Sequence, residues 1–326
     1  MERMRAGRMY EVGKIVCEEA EIRPPDEGEV LVRTSFASIC GSDLHMVMMG
    51  AIVPGLPAAP GFPGHEGVGE VVESRHPDFN QGDKVLTYPH SFAGTCFAEY
   101  QTLKADYVLK LPDGDPRHLL MAQQLGTVIW ALRRDPVDVT GKAVAIIGQG
   151  SAGLFFTWLL KRAGAEKVIV SDLSAGRLEV AKRFGADITV DANEGPDAMQ
   201  RTVLDTTGVG ADYVVEAVGT KDTVRQTTGL SRLDGHLLWF GLPDGRDPVL
   251  LDYGEFFRKR LIATSSWGAQ DEPGRASFKR ALGLISRGDI DVSPLLSHVL
   301  PVERIDEAFE IAHERRDGAL KVSLSF

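Results

Sequence analysis

The chain has 326 residues, more than the roughly 100 to 200 that one domain usually holds, so two domains with separate cores are expected. Its 43% hydrophobic and 25% charged residues are ordinary for a globular protein, and no apolar run approaches the roughly 18 residues that a membrane helix requires. With 36 basic against 46 acidic residues the net charge is −10, which argues against a polyanion such as nucleic acid as the main partner and in favour of a small molecule.

At the N-terminus, Met1 to Met9 carries Arg3, Arg5 and Arg8 but lacks the apolar stretch of a secretory signal, so a cytoplasmic location is expected. Residues 28 to 110 are β-rich and punctuated by turns. The segments Glu29-Val-Leu-Val-Arg-Thr, Gly67-Val-Gly-Glu-Val-Val, Asp83-Lys-Val-Leu-Thr and Phe97-Ala-Glu-Tyr read as short strands separated by Gly, Pro and Asp. From about residue 141 strands alternate with helices, the pattern of parallel βαβ units. Six strands are predicted there: Ala143 to Gly148, Lys167 to Asp172, Ile188 to Asp191, Ala211 to Val218, Gly235 to Gly241 and Leu261 to Trp267. Helical spacing marks Leu154 to Ala163 and Leu178 to Phe184, with Gly164 and Gly185 placed as C-terminal caps. The tail adds a helical stretch from Ala276, a helix around Ile305 to His313 and a final strand Lys321 to Phe326. The fold class is therefore α/β, a doubly wound parallel sheet beside a β-rich domain.

The three cysteines, Cys17, Cys40 and Cys96, are too few and too scattered for a disulfide framework, and they cannot make a four-cysteine zinc site. Cys17 and Cys96 read as small buried hydrophobes. Cys40 has different neighbours. It opens Cys40-Gly-Ser42-Asp43-Leu-His45, and Gly64-His65-Glu66-Gly67-Val-Gly69 follows, with 25 residues from Cys40 to His65. A thiolate and an imidazole give a tetrahedral zinc two of its bonds, and a catalytic zinc takes three protein ligands and keeps one position open. A third ligand is therefore wanted.

The other motif is Gly148-Gln149-Gly150-Ser151-Ala152-Gly153, set between the apolar strand Ala143-Val-Ala-Ile-Ile and a helix. Strand, helix and an acid 19 residues past Gly153, Asp172, together make a dinucleotide-binding signature. Gly148 permits the tight turn, Gly150 lets the backbone approach a pyrophosphate, and Gly153 allows close packing of helix on strand, with the phosphate charge at the helix N-terminus. Asp172 would accept from the ribose hydroxyls and repel a 2′-phosphate, so NAD is expected rather than NADP.

These motifs, with Gly82-Asp-Lys-Val, Phe240-Gly241-Leu242 and Leu320-Lys321-Val, make nearly the whole chain resemble the medium-chain zinc-dependent alcohol and polyol dehydrogenases. The sorbitol, threonine and glucose dehydrogenase branches look closest. The resemblance implies a GroES-like catalytic domain over 1–126 and 266–326 and a Rossmann cofactor domain over 127–265. It implies Cys40 and His65 as catalytic zinc ligands, Ser42 as the hydroxyl on the substrate alcohol, His45 as the residue passing its proton towards solvent, and Asp43 as the carboxylate that orients the ligating histidine. It also implies that the Gly241-Leu242 backbone holds the nicotinamide amide and that Lys321 neutralises cofactor phosphate, with Arg177 counted among the cofactor residues. The implied activity is hydride transfer between an alcohol and NAD.

The chain departs from the family pattern in two places. The segment from Gly94 to Tyr100 lacks the four-cysteine lobe of many relatives, so one catalytic zinc and no structural zinc is expected. Where relatives carry Cys or Glu, early in the helix beginning around Leu120, this chain has Gln124, a poorer zinc ligand. Glu66 is then the expected third ligand, with Gln124 the alternative. A pocket closed by both domains is expected to draw on Phe62, Tyr88, His90, Trp130 and Trp267. In relatives the sixth strand of the cofactor domain pairs with a second subunit, which implies a homodimer or homotetramer. Two other readings stay open: a metal-free enoyl or quinone reductase of the same superfamily, and an inactive NAD-binding protein.

Overall fold

The computed structural model describes residues 2–51, 53–245 and 247–326. Met1, the first residue of the segment inspected for a signal, lies outside them. The chain divides into two compact units, Met1–Gly126 with Gly268–Phe326, and Thr127–Trp267. No helix among the described residues is long and apolar enough to cross a membrane.

The first unit is built on a seven-stranded sheet. Its spatial order is Leu296–Pro301, Lys321–Ser325, Glu29–Ser38, Gly67–Ser74, Lys84–Thr87 and Val108–Lys110, and Tyr100–Lys104 also pairs with Glu29–Ser38. Every pairing is antiparallel except that of Leu296–Pro301 with Lys321–Ser325. Alternation buries Val30 and Val32 against Val71, Val85, Leu103 and Val108, while Arg33 and Ser35 point outward. A second core joins Ile39, Met46, Phe62, Phe97, Phe309, Val322 and Leu324. Burial of such a side chain contributes about 1.5 to 3 kcal/mol. This core brings the C-terminal strand beneath the segment that carries Cys40.

Two readings of the first unit need correction. The strand expected at Phe97 to Tyr100 begins only at Tyr100, because the Phe97 carbonyl instead accepts the Gly7 N–H at 2.7 Å and Ala98 bridges to Ala6. The partner there is an N-terminal hairpin, Arg3–Glu11 with Lys14–Glu21, which the sequence reading treated only as a segment without a signal.

The second unit is a six-stranded parallel sheet. Its spatial order is Ile188–Asp191, Lys167–Asp172, Ala143–Ile147, Ala211–Glu216, Ser231–Trp239 and Ile262–Ser265. Strands covered on both faces need unbroken apolar runs, and Val144 to Ile147 and Val168 to Val170 are all buried. Helices Ser151–Arg162 and Ala175–Arg183 lie over the sheet, and the chain turns after each at Gly164 and Gly185 with φ of 97° and 105°. The strand order reverses between Ala143–Ile147 and Ala211–Glu216, where an open α/β sheet forms a ligand crevice at its carboxyl ends. The molecule is thus the α/β class expected, a GroES-like β-rich unit with a Rossmann unit.

Candidate metal and cofactor sites

Strand Glu29–Ser38 delivers Cys40 to the start of helix Gly41–Met49. Cys40 is the N-cap, in extended conformation, and its N–H donates to Asp43 Oδ2 at 2.8 Å. The helix ends at Gly50, whose φ of 73° a side chain would resist. Three-residue spacing sets Ser42 and His45 on one face, both half-buried. Asp43 turns the other way into the interior, fully buried, and its Oδ1 lies 2.9 Å from His65 Nδ1. Nδ1 is so engaged that Nε2 is the nitrogen turned towards other groups, and Ser42 Oγ lies 3.3 Å from it.

Donor atoms of Cys40, His65 and Glu66 all lie within 4.8 Å of one another. Zinc bonds of about 2.0 to 2.3 Å put tetrahedral ligands about 3.3 to 3.8 Å apart, so these residues can close on one ion by small side-chain adjustments. One oxygen of Glu66 is committed: Oε2 accepts from Ser38 Oγ and lies 2.6 Å from Lys321 Nζ. The other, Oε1, is buried and has no hydrogen-bond partner among the described residues. A buried anionic oxygen beside a thiol and an imidazole suits a cation, and the donor set of S, N and O suits zinc.

The charges here shift one another. Burial pulls the His65 imidazole down, but Asp43 and Cys40 outweigh it and push it well above its ordinary value. Burial pushes Glu66 up, but Lys321, His65 and Ser38 hold it below the usual carboxylate range. Burial pushes Asp43 up, against the lowering by His65. A thiol and an imidazole must give up their protons to bind a divalent ion, so binding there would release protons.

Lys321, expected at the cofactor phosphate, is placed elsewhere. Its side chain is 1% exposed and its ammonium is engaged by Glu66 and, at 3.5 Å, by Gln124 Oε1. The physical reason is burial: an ammonium taken from water needs a nearby anion, and Glu66 supplies it. Gln124 thus sits at the edge of the donor set, on the lysine. Nothing in the sequence signals Ser38 as a neighbour of the donor set or places Lys321 there, because their partner Glu66 is distant in the chain. Two of the residues expected to line a pocket are core residues of the first unit. Phe62 and Tyr88 are 2% and 0% exposed, and Tyr88 packs on Phe278 with ring centroids 4.5 Å apart. His90 pairs with Asp271 at 3.1 Å, while Trp130 is half-buried and Trp267 57% exposed.

In the Rossmann unit the turn Gly148 to Gly153 follows strand Ala143–Ile147 and leads into helix Ser151–Arg162, with Gly150 as its N-cap. Gly148 has a φ of 91°, and a Cβ on Gly153 would overlap the Gly148 carbonyl oxygen. Gln149 turns inward: its amide donates to the Gly148 carbonyl at 2.9 Å and accepts from Thr157 Oγ1 at 2.9 Å, so its side chain braces the turn. Ser151 and Ala152 begin the helix, whose free N–H groups and positive end suit a phosphate. Asp172 ends the second strand, accepting from the N–H of Gln149 at 2.7 Å and of Ser174 at 2.9 Å. Arg177 Nη1 lies 4.0 Å from Asp172 Oδ2 and close to Gly150. Gly241 and Leu242 follow strand Ser231–Trp239, packed on Gly219.

Comparison with known proteins finds two family domains along the chain. Residues 26–113 match the alcohol dehydrogenase GroES-like domain and residues 152–287 the zinc-binding dehydrogenase domain. The chain is 29% identical to the L-threonine 3-dehydrogenase of Bacillus subtilis (strain 168), over 97% of this chain and 98% of that protein. It is 26% identical to the sorbitol dehydrogenase of the same organism, over 98% and 96%. Among solved structures an alcohol dehydrogenase from Thermotoga maritima aligns with a TM-score of 0.85 at 27% identity, covering 100% of both chains. With the paired domains, the donor set and relatives that span its length, the chain belongs to the zinc-type medium-chain alcohol and polyol dehydrogenases, and it is an oxidoreductase.

Proposed function

We propose that this protein oxidises a secondary alcohol or polyol, or reduces the matching carbonyl, with NAD and a single zinc held by Cys40, His65 and Glu66. The observation that carries the reading is the meeting of those donor atoms within 4.8 Å, with a buried, unpartnered Glu66 oxygen among them. Zinc bound there supplies Lewis acidity to the substrate oxygen. The protein's own groups do the rest. Asp43 fixes the ring of His65 through Nδ1. Ser42, beside the donor set, accepts the substrate hydroxyl proton and hands it along the helix face to His45, which returns it to solvent. Gln124 touches the substrate rather than the ion.

The preference for NAD rests on the Asp172 carboxylate at the end of its strand, where a 2′-phosphate would meet like charge. A count of one zinc rests on the three cysteines and the missing four-cysteine lobe. The setting we assign is the cytoplasm. We also assign a homodimer or homotetramer through the edge strand Ile262–Ser265, flanked by Tyr253 and Phe257 at 72% and 69% exposure. Light scattering at working concentration tests it, and a monomer mass refutes it.

The deciding experiment follows reduced cofactor while a panel of polyols, sugars, 3-hydroxy amino acids and secondary alcohols is offered with NAD or NADP, alongside metal analysis. The expected result is NAD-linked oxidation by protein carrying about one zinc per chain. Undiminished activity at less than about a tenth of an equivalent of zinc would sink the metal assignment. Better turnover with NADP would sink the cofactor assignment.

A further inference from the structure

Strand Ala211–Glu216, central in the Rossmann sheet, ends in a carboxylate that neither the fingerprint nor the metal site uses. Glu216 is 0% exposed. Its Oε1 accepts from the N–H of Val218 and of Gly219, both at 2.8 Å. Its main-chain oxygen accepts from the N–H of Phe240 at 2.9 Å and of Gly241 at 3.0 Å. The second carboxylate oxygen, Oε2, is buried, has no hydrogen-bond partner within ordinary geometry among the described residues, and lies 2.6 Å from where a Cβ on Gly241 would stand. A Cβ on Gly219 would overlap the Leu242 carbonyl, so the 217–219 turn and the 241–242 segment lie in direct contact with Glu216 behind both. Burying a carboxylate costs several kcal/mol unless it is bonded, and a strand end that carries one needs a return.

We propose that Glu216 is a positioning residue that holds the Gly241–Leu242 backbone at the place where the nicotinamide end of the cofactor docks. The inference rests on the reading of Gly241–Leu242 as the nicotinamide contact. The adenosine end has separate supports. Gly148 N–H donates to the Ser171 carbonyl at 2.8 Å, Gln149 braces the turn, and Asp172 accepts the Gln149 N–H at 2.7 Å. Val218, whose N–H Glu216 Oε1 holds, also packs beside Gly148, so loss of the carboxylate reaches both ends of the cofactor but acts far more on the nicotinamide end, where the Gly241 backbone rests on Glu216 itself.

The test compares equilibrium binding of NADH, which has the nicotinamide, with that of ADP-ribose, which lacks it, by titration of the intact zinc-loaded protein. For Glu216→Ala the expected result is a rise of at least about tenfold in the Kd for NADH, or about 1.4 kcal/mol, and less than about twofold for ADP-ribose. Glu216→Gln keeps the shape and one acceptor oxygen, and should recover most of the NADH affinity. If the alanine variant does not fold, Gly241→Ala takes its place as the loss variant, with Glu216→Gln as its conservative control. Gly241→Ala, whose Cβ would crowd Glu216 Oε2, should reproduce the alanine pattern. Equal loss for both ligands marks a purely structural role and overturns the proposal, as does unchanged NADH affinity in a folded Glu216→Ala protein. If the unaltered protein binds ADP-ribose but not NADH, the nicotinamide reading of Gly241–Leu242 fails instead.

Discussion

Lys321 Nζ lies 2.6 Å from Glu66 Oε2, and neither side chain is more than 1% exposed. The pair ties the last strand of the first unit to the segment that carries His65, so Glu66, the proposed metal ligand, and the C-terminal strand share one buried charge balance. Removing the cation alone leaves Glu66 as a buried, uncompensated anion, which costs about 3 to 5 kcal/mol. For Lys321→Met, similar in length and uncharged, the unfolding midpoint measured in chelator is expected to fall by about 10 °C. Saturating zinc should shrink the difference, because the ion takes over as the counter-charge on Glu66. An unchanged midpoint in chelator would show that the pair is not a main support of Glu66.

Asp172 and Arg177 set up a second expectation. The arginine lies 4.0 Å from the carboxylate and beside Gly150, so the charge that the proposed adenosine site presents is the balance of the two. Asp172→Ser removes the anion and frees Arg177 for a phosphate. The ratio of kcat/KM for NAD over NADP should fall by at least about tenfold, equivalent to about 1.4 kcal/mol, with zinc content unchanged. A ratio that stays put would mean that the ribose hydroxyls are read by other groups.

How far these sites were legible in the sequence differs between the units. In the Rossmann unit Gly148 to Gly150 and Asp172 fall at strand ends or the turn after, and Ser151 to Gly153 and Arg177 in the first turns of the two following helices, because the glycines, the apolar strand and the acid lie within one βαβ repeat whose order is local; Gly241 and Leu242 come from a distant strand. Glu216 escaped notice because an acid at the end of an apolar strand reads as solvated, and only the packed turns behind Gly219 and Gly241 show that it is not. In the first unit Cys40, His65 and Glu66 were legible by residue type. The placement of Lys321 was not, because nothing near it in the chain signals a partner some 250 residues earlier, where Glu66 lies. Phe97 was misread as strand for a related reason: its backbone partner is Gly7, in a hairpin at the far end of the chain.

Gly153 offers a test of the turn itself. A Cβ there would overlap the Gly148 carbonyl, which is backbone and cannot rotate away. Overpacking of this kind costs about 1 to 3 kcal/mol and shifts the helix off the strand. Gly153→Ala should lower the denaturant midpoint and weaken ADP-ribose and NADH alike, the pattern opposite to that expected at Glu216. Full ADP-ribose affinity in the variant would show that the helix N-terminus tolerates the shift.

Gln124 stands where the family resemblance leads one to expect Cys or Glu, and its amide oxygen lies 3.5 Å from Lys321 Nζ. Gln124→Glu is nearly isosteric and adds a second carboxylate within reach of the same ammonium. Lys321 then divides its charge between two anions, which loosens its hold on Glu66 and adds negative charge beside Cys40 and His65. Both effects favour a divalent ion. Competition with a chelator of known affinity should show zinc bound about tenfold more tightly, or about 1.4 kcal/mol. If Gln124 touches the substrate, as the proposed function has it, the same change should also raise KM for the best alcohol while leaving NADH binding unaltered. Unchanged zinc affinity with an unchanged KM would place Gln124 outside both the metal site and the substrate site.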